Sequence, residues 1–185
     1  QRLVEQEKYL CITCLSQLPL THYIHNRDNK LEELFAGRFP FQKIASYAFF
    51  MKEGMLQPVI HELKYNNRPD LGIFLGELLG KELRQSQFCA DIDLLVPIPI
   101  HPKRARERGY NQSLEIIKGI VKHINRPFDD TNLQRSVNNP SQTGLSKTER
   151  WTNVENIFEI IDPSIFENKH ILLVDDIVTT GSTLE

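Results

Sequence analysis

The sequence has little of what membrane, secreted and highly basic proteins need. No apolar run approaches the ~20 residues that span a bilayer, and the first residues lack the apolar core of a secretory signal. Only three cysteines occur in 185 residues, which is too few for a disulfide framework. The formal net charge is −2, so no general attraction to nucleic acid or to an anionic membrane is expected. We therefore expect a cytoplasmic protein whose anion sites come from local clusters of charge.

What the chain does contain is enough for a packed core, since 40% of its residues are apolar. We expect two parts: residues 1–30 as an N-terminal appendage with a linker, and residues 31–185 as the main domain. The chain begins at Gln1 and ends at Glu185, where a helix should be under way. We interpret it as truncated at both ends.

Apolar periodicity predicts an alternation of strands and helices. Continuous apolar or β-prone runs predict extended segments at 44–50, 92–98, 133–137, 157–161 and 170–174. Spacings of three and four predict helices at 59–63, 71–83 and 113–124. Asp70 is the predicted N-cap of the second helix. Strands that alternate with helices argue for an α/β fold in which a parallel sheet is covered on both faces.

The strongest signal runs from Ile171 to Thr183. A buried strand delivers Asp175 and Asp176 at its carboxyl end, where open α/β sheets place their ligands. The loop beyond can cradle a phosphate monoester with backbone N–H groups, and Gly181 permits close approach of the backbone. The carboxylates would then accept hydrogen bonds from a ribose diol, whereas the bland alternative is a capped helix after an acidic strand end. The loop candidates are Val178, Thr179, Thr180, Gly181, Ser182 and Thr183.

A concentrated positive segment follows the predicted strand at 92–98. Its cations, set against the single acid Glu107, are Lys103, Arg104, Arg106 and Arg108. Such a loop would stabilise a pyrophosphate leaving group as a glycosidic bond breaks; the alternative is a solvated run of charge. Lys64, at the end of a predicted helix, is either a further phosphate contact or a favourable charge at a helix C-terminus.

These residues also carry a resemblance. Val174-Asp-Asp-Ile-Val-Thr-Thr-Gly-Ser-Thr183 resembles the motif with which type I phosphoribosyltransferases bind 5-phosphoribosyl pyrophosphate (PRPP). The segment from Leu95 to Ser113, together with His61-Glu-Leu-Lys-Tyr65, resembles the ComF family of competence-associated, phosphoribosyltransferase-like proteins. The resemblance implies a type I phosphoribosyltransferase-like parallel sheet flanked by helices. It also adds to the pyrophosphate segment the residues Gly109, Tyr110 and Asn111.

Residues 138–151 are polar and poor in core residues. The sequence alone leaves two alternatives open, an ordinary surface connection and a mobile lid over a substrate. The resemblance favours the lid, because proteins of this type carry a flexible loop there that shields the reactive sugar from water. The polar lid candidates are Gln142, Lys147 and Arg150.

Cys11 and Cys14 form a Cys-x-x-Cys pair, although structural zinc usually needs four ligands. The resemblance implies a second, upstream pair that completes a zinc ribbon in the full-length protein, so the site is expected to be incomplete here. Two alternatives stay open: His22 and His25 as the other ligands, and a redox role for the pair.

The resemblance implies an enzyme that transfers the 5-phosphoribosyl group from PRPP to a nitrogenous acceptor, a nucleobase or an amine, and releases pyrophosphate. Magnesium would bridge pyrophosphate and diol oxygens. The alternative is a non-catalytic protein of natural transformation that senses PRPP or handles single-stranded DNA, with DNA-uptake proteins as partners. The sequence shows no recognisable nucleobase pocket, so the acceptor stays open.

Overall fold

The computed structural model describes residues 7–135 and 157–181. Its helices are α1 (Ile12–Ser16), α2 (Lys30–Phe35), α3 (Leu56–Tyr65), α4 (Pro69–Gln85), α5 (Pro102–Arg108) and α6 (Gln112–Ile120). Its strands are β1 (Leu94–Pro97), β2 (Leu133–Arg135), β3 (Phe158–Ile160) and β4 (Ile171–Val174). A single 3₁₀ turn lies at Pro163–Ile165 in the described part of the chain. The fold is mixed α/β, and none of the described helices is long and apolar enough to cross a membrane.

The strands β1 and β4 pair in parallel, with Leu94 opposite Ile171 and Pro97 opposite Val174. On its other side, β1 makes a parallel bridge from Leu95 to Phe128. All four residues of β1 are buried, as a central parallel strand requires. The parallel pairing agrees with the prediction, and it brings the carboxyl ends of β1 and β4 to one edge of the sheet.

The strands β2 and β3 form a separate antiparallel ribbon, with Leu133 opposite Ile160 and Arg135 opposite Phe158. This corrects the expectation that all strands join one parallel sheet. Each strand carries an exposed polar residue at its centre, a pattern typical of an antiparallel pair with one face in solvent rather than of a parallel strand covered on both faces.

The β-prone run at 44–50 is also not a strand. It makes one isolated antiparallel bridge, between Leu20 and Ala48. The backbone of Ile44 bonds to side chains instead: its N–H donates to Glu32 Oε1 at 3.2 Å, and its carbonyl accepts from Asn29 Nδ2 at 2.9 Å. Because these side chains satisfy the backbone N–H and carbonyl of Ile44, this residue needs no strand partner.

The expected N-cap role of Asp70 is wrong. The helix α4 begins one residue earlier, with Pro69 in its first turn and Arg68 as the residue before it. Pro69 has the fixed φ that suits a first helical position. The carboxylate of Asp70 instead accepts from the guanidinium of Arg68, at 2.9 Å from Nη2. This side-chain pair consumes the group that would have capped the helix.

The helices α4 and α6 pack so closely that their backbones touch. A Cβ at Gly76 would lie 2.0 Å from the carbonyl oxygen of Ile116, and one at Gly119 would lie 2.1 Å from that of Ile73. Of the two helices, α6 packs on β1 and β4, and the main apolar core gathers there. That core consists of Ile24, Leu83, Cys89, Leu95, Ile116, Ile117, Ile120, Ile124 and Val174. A smaller cluster of Ile60, Leu63 and Leu71 joins α3 to α4.

Candidate functional site

Asp175 and Asp176 follow β4 directly at the edge where the two parallel strands end. The backbone N–H of Ile98, just after β1, donates to the carbonyl of Val174 at 2.9 Å, which holds the two strand ends together. Asp175 Oδ1 accepts from Ser113 Oγ at 3.2 Å and from the backbone N–H of Asp176 at 2.8 Å. Burial, and next the charge of Asp176, raise the pKa of Asp175 above its ordinary value. The sheet edge therefore carries a largely buried acidic pair.

Lys64 is the counter-charge of this pair. Its Nζ lies 2.9 Å from Asp176 Oδ2, and the two side chains are only 20% and 12% exposed. The prediction offered Lys64 as a phosphate contact or a helix-end charge, and it missed this ion pair. No sequence pattern connects the end of α3 to the end of β4, so only the fold brings the two groups together.

The segment after the acidic pair rests on α2. Gly181 has a φ of +80°, and a Cβ there would lie 2.1 Å from two ring carbons of the fully buried Phe35. Arg38 Nη1 donates to the carbonyl of Thr180 at 3.0 Å, and its guanidinium lies over the Phe35 ring. The ring of Phe35 thus fills the position of the missing side chain of Gly181, and the expected role of Gly181 in phosphate binding stays a prediction.

The other loop candidates are less enclosed. Val178 is half-buried, whereas Thr179 and Thr180 are exposed. Ser182 and Thr183 lie outside the described residues, as do the lid candidates Gln142, Lys147 and Arg150.

The expected basic loop is the helix α5. His101 caps it by accepting from the N–H of Lys103 at 3.1 Å, Pro102 starts it, and Gly109 ends it with a φ of +80°. The residues between are good helix formers, which the interpretation as a loop overlooked. Lys103, Arg104 and Arg106 are exposed, and none of them pairs with an acidic side chain among the described residues.

Three of the expected pyrophosphate residues are used inside the protein instead. Arg108 Nη1 donates to Gln112 Oε1 at 2.9 Å, and its guanidinium lies over the ring of Tyr65. The hydroxyl of Tyr110 donates to the carbonyl of Leu63. Asn111 caps α6 by accepting from the N–H of Ser113, and its Nδ2 donates to the carbonyl of Ile98 at 3.0 Å. These contacts fix α6 against the end of β1 and so place Ser113 beside Asp175.

Sequence reasoning singled out neither Gln112 nor Arg135. Gln112 is only 1% exposed, and its Nε2 has no hydrogen-bond acceptor among the described residues. Arg135, at the end of β2, is half-buried with its guanidinium over the ring of Phe158. Burial, and next the charge of Arg104, lower the pKa of Arg135, whereas the charge of Asp175 opposes this shift. Nothing in the local sequence of Arg135 marks it.

Cys11 and Cys14 lie close together at the start of α1. Cys11 caps α1, and its Sγ accepts from the N–H of Cys14 at 3.4 Å. Within 7–135 and 157–181, no group of three or more His, Cys, Asp or Glu side chains is placed to hold a metal ion. His25 bonds to Glu82 instead. The structure therefore does not bring the two histidines to the cysteines, and the upstream-completed zinc ribbon stays a prediction.

Known proteins give the site a context. No family model and no solved structure matches the chain. The chain is 29% identical to the DNA utilization protein YhgH of Escherichia coli (strain K12) over 191 aligned residues. The alignment covers 99% of this chain and 78% of that protein. The chain is 29% identical over 133 residues to Competence protein F of Haemophilus influenzae, covering 70% of this chain and 58% of that protein. It is 37% identical over 91 residues to Competence protein ComFC of Bacillus subtilis, covering 49% of this chain and 35% of that protein.

Proposed function

Because the chain belongs to the ComF family of competence proteins, we propose that it binds PRPP and transfers the 5-phosphoribosyl group to a nitrogenous acceptor. The names of its relatives support an association with competence and DNA utilization. One observation carries the proposal: the partly buried pair Asp175 and Asp176 follows β4 at the carboxyl edge that β4 shares with β1, and the cationic helix α5 follows β1 in the chain.

The acidic pair suits a ribose diol. Carboxylates accept hydrogen bonds from two neighbouring hydroxyls, and burial strengthens such bonds because water does not compete for them. Asp175 is held in place by Ser113 and Asp176 by Lys64. With both carboxylates fixed, little ordering remains to be done when a sugar binds. The 5-phosphate of that sugar would meet the N–H groups of the segment from Val178 to Gly181.

The proposed transfer makes one bond and breaks one. The bond from the ribose C1 to the pyrophosphate oxygen breaks, and its electron pair leaves with the pyrophosphate. The lone pair of the acceptor nitrogen forms the new C–N bond, and the proton that the nitrogen carried passes to solvent or to the leaving group. Cations of α5 stabilise the charge that develops on the pyrophosphate, which lowers the barrier. Arg104 and Arg106 have no competing acidic partner among the described residues.

The residues at this edge fit a magnesium ion that arrives with the substrate. Mg²⁺ is commonly bound by one or two carboxylates together with substrate phosphates and waters, and Asp175 and Asp176 offer two carboxylates. Magnesium, when bound, would neutralise charge on the pyrophosphate. Because Lys64 already pairs with Asp176, we expect the protein alone to bind magnesium weakly. Binding of magnesium should therefore depend on PRPP.

A second function, handling of single-stranded DNA, is favoured by one observation. The exposed side chains of Lys103, Arg104 and Arg106 form a cationic surface without acidic partners among the described residues, and such surfaces attract nucleic acid backbones. A protein that kept the PRPP site only to sense PRPP would use the same pocket without turnover. Release of pyrophosphate therefore distinguishes a transferase from a protein that only senses PRPP.

Isothermal titration with PRPP and magnesium, followed by a pyrophosphate-release screen over nucleobases and amines, tests the proposal. We expect micromolar binding of PRPP and release of pyrophosphate with at least one acceptor. Binding of PRPP without release for any acceptor would favour the sensing function. Absence of PRPP binding, with salt-dependent binding of a single-stranded oligonucleotide, would contradict the transferase and favour DNA handling.

A further inference from the structure

A tight turn after α2 contacts the segment from Val178 to Gly181. Ala36 has a φ of −56° and a ψ of 124°, and Gly37 has a φ of +77°. The N–H of Arg38 donates to the carbonyl of Phe35 at 3.0 Å. These values fit a type II turn, which favours glycine at its third position. The turn brings the guanidinium of Arg38 over the Phe35 ring, 5.0 Å from its centroid, so the two side chains form one unit at the end of α2.

Both side chains of this unit contact the segment, at two successive residues. The Phe35 ring fills the position of the missing side chain of Gly181. Arg38 Nη1 donates to the carbonyl of Thr180 at 3.0 Å. The ring of Phe39 lies beside that of Phe35, with 5.3 Å between the centroids, and supports the unit from the other end of the turn. The peptide that joins Thr180 to Gly181 is therefore held by the turn.

The orientation of this peptide determines where one N–H points. In a trans peptide the carbonyl and the N–H that follows it point in opposite directions, and the described residues contain no cis peptide. Because Arg38 binds the carbonyl of Thr180, the N–H of Gly181 points away from Arg38. A peptide next to glycine otherwise rotates readily, since no Cβ hinders it. Arg38 therefore selects one orientation of this N–H.

We propose that Arg38 is a positioning residue for a phosphate monoester, because it holds the peptide of Thr180 and Gly181 so that the N–H of Gly181 is directed at the phosphate. The inference deepens the proposed function and rests on it, since it takes this phosphate to be the 5-phosphate of PRPP. Arg38 acts through the peptide and not by contact with the ligand. The turn after α2, which precedes the parallel sheet in the chain, thus becomes part of the binding site.

A merely structural role fits Arg38 poorly. Its side chain is exposed, and a hydrogen bond in solvent adds little stability because water can replace either partner. Phe35, which is 0% exposed, supplies the buried contact with Gly181. Loss of the guanidinium should therefore leave the fold nearly unchanged and let the peptide rotate. If the binding orientation is then populated only about a tenth of the time, the affinity falls about tenfold.

The test titrates the full chain with ribose 5-phosphate and, in the presence of magnesium, with PRPP. Arg38→Met keeps an unbranched side chain over Phe35 but removes the donor, and it should weaken both ligands by the same factor, roughly three- to thirtyfold. Arg38→Lys retains a donor and should stay within about twofold of the wild type. The melting temperature of either variant should fall by less than about 4 °C. Arg27→Met is the matched control, because Arg27 is an exposed arginine before α2 and its loss should change neither affinity.

Ionic strength separates positioning from simple attraction between a cation and an anion. The effect of a lost charge shrinks as salt screens it, whereas a lost orientation costs the same factor at about 0.05 M and about 0.5 M salt. A factor that vanishes at the higher salt would overturn the positioning role of Arg38. A melting temperature lower by more than about 10 °C would also overturn it, because Arg38 would then support the whole domain.

The outcomes also separate this inference from the proposed function. If the wild type binds PRPP and Arg38→Met binds both ligands equally well, the positioning role is overturned and the proposed function stands. If the wild type binds ribose 5-phosphate in a way that depends on Arg38 but releases no pyrophosphate from PRPP with any acceptor, the positioning role stands and the proposed transfer fails. If the wild type binds neither ligand, both fail.

Discussion

The ammonium of Lys64 lies 2.9 Å from a carboxylate oxygen of Asp176, in a pair that is largely shielded from water. The pair connects the end of α3 to the end of β4, and it fixes one of the two carboxylates on which the proposed function depends. A shielded ion pair offsets its own desolvation only while both partners are present. Loss of one partner should therefore be felt in the stability of the whole domain.

Lys64→Met should lower the free energy of unfolding by about 1–3 kcal/mol, because it leaves the carboxylate of Asp176 unpaired beside Asp175. Adding Asp176→Asn should recover much of this loss, so a double-mutant cycle should give a coupling of about 1–3 kcal/mol. Urea unfolding measures all four proteins. The control is Lys122→Met, because Lys122 pairs with Glu77 in a more exposed position and should cost less than about 1 kcal/mol. Equal losses for both lysines would contradict the special role of Lys64.

Asp175 should make stability depend on pH in the direction opposite to an ordinary paired carboxylate. Its pKa is raised in the folded state, so the folded protein resists its ionisation. The stability contribution is present below the unfolded pKa and is lost as the pH rises through the folded pKa. Asp175→Asn should therefore unfold at a higher temperature than the wild type at pH 7, and the difference should shrink towards pH 4.

The matched control for this pH dependence is Asp162→Asn. Hydrogen bonds from Ser164 lower the pKa of Asp162, so its contribution is present above the unfolded pKa and is lost as the pH falls. Asp162→Asn should thus unfold at a lower temperature than the wild type at pH 7. Thermal unfolding followed by circular dichroism between pH 4 and 8 checks both variants. If the wild type is more stable than Asp175→Asn at pH 7, the pKa of Asp175 is not raised in the folded protein.

Replacing both aspartates tests recognition of the diol. Asp175→Asn with Asp176→Asn keeps the shape of the site but weakens acceptance from ribose hydroxyls and any hold on magnesium. PRPP affinity should fall roughly ten- to a hundredfold, equivalent to about 1.4–3 kcal/mol, and should fall more than the affinity for sulfate. The measurement is paired titration at fixed ionic strength. A generic anion site would respond in the opposite sense, since removal of two negative charges would tighten both ligands.

Gly181→Ala should be far more costly than a positive φ alone explains. Gly37 is the matched control, because it has a φ of +77° and nothing within 4 Å of the position of its missing Cβ. Gly37→Ala should cost about 1 kcal/mol, whereas Gly181→Ala should cost about 2–4 kcal/mol through the added clash with Phe35. Denaturant unfolding measures both. Phe35→Leu should reduce the destabilisation by Gly181→Ala. Equal losses of stability for Gly37→Ala and Gly181→Ala would show that the Phe35 ring moves aside without measurable cost.

The parts of the fold that local sequence determines were predictable. Continuous apolar runs located β1 and β4, a spacing of three and four located α3, α4 and α6, and the position of Asp175 directly after a strand put it at the carboxyl edge. The strands β2 and β3 were predicted, but their antiparallel pairing was not. The direction of pairing depends on which strands the fold brings side by side, and the local sequence does not determine that.

The parts that depend on distant contacts were not predictable. The support of Gly181 by Phe35, the pair of Lys64 with Asp176 and the hydrogen bond from Ser113 to Asp175 each join segments far apart in the sequence. The helix α5 was missed for a different reason: its charge pattern suggested a solvated loop, although His101, Pro102 and Gly109 are ordinary signals for the start and end of a helix.

The contact of Gly76 with the backbone of Ile116 leaves no room for even one methyl group between α4 and α6. Ser113 lies one helical turn before Ile116, and the distance from its hydroxyl to Asp175, 3.2 Å, is already long for a hydrogen bond between two oxygens. A methyl group at Gly76 would push α6 away and lengthen that bond further. That bond lowers the pKa of Asp175, against the larger effects of burial and of Asp176. A glycine that never touches the carboxylate thus supports one of its hydrogen bonds, so a survey of this site by substitution would be incomplete if it stopped at the residues that line it.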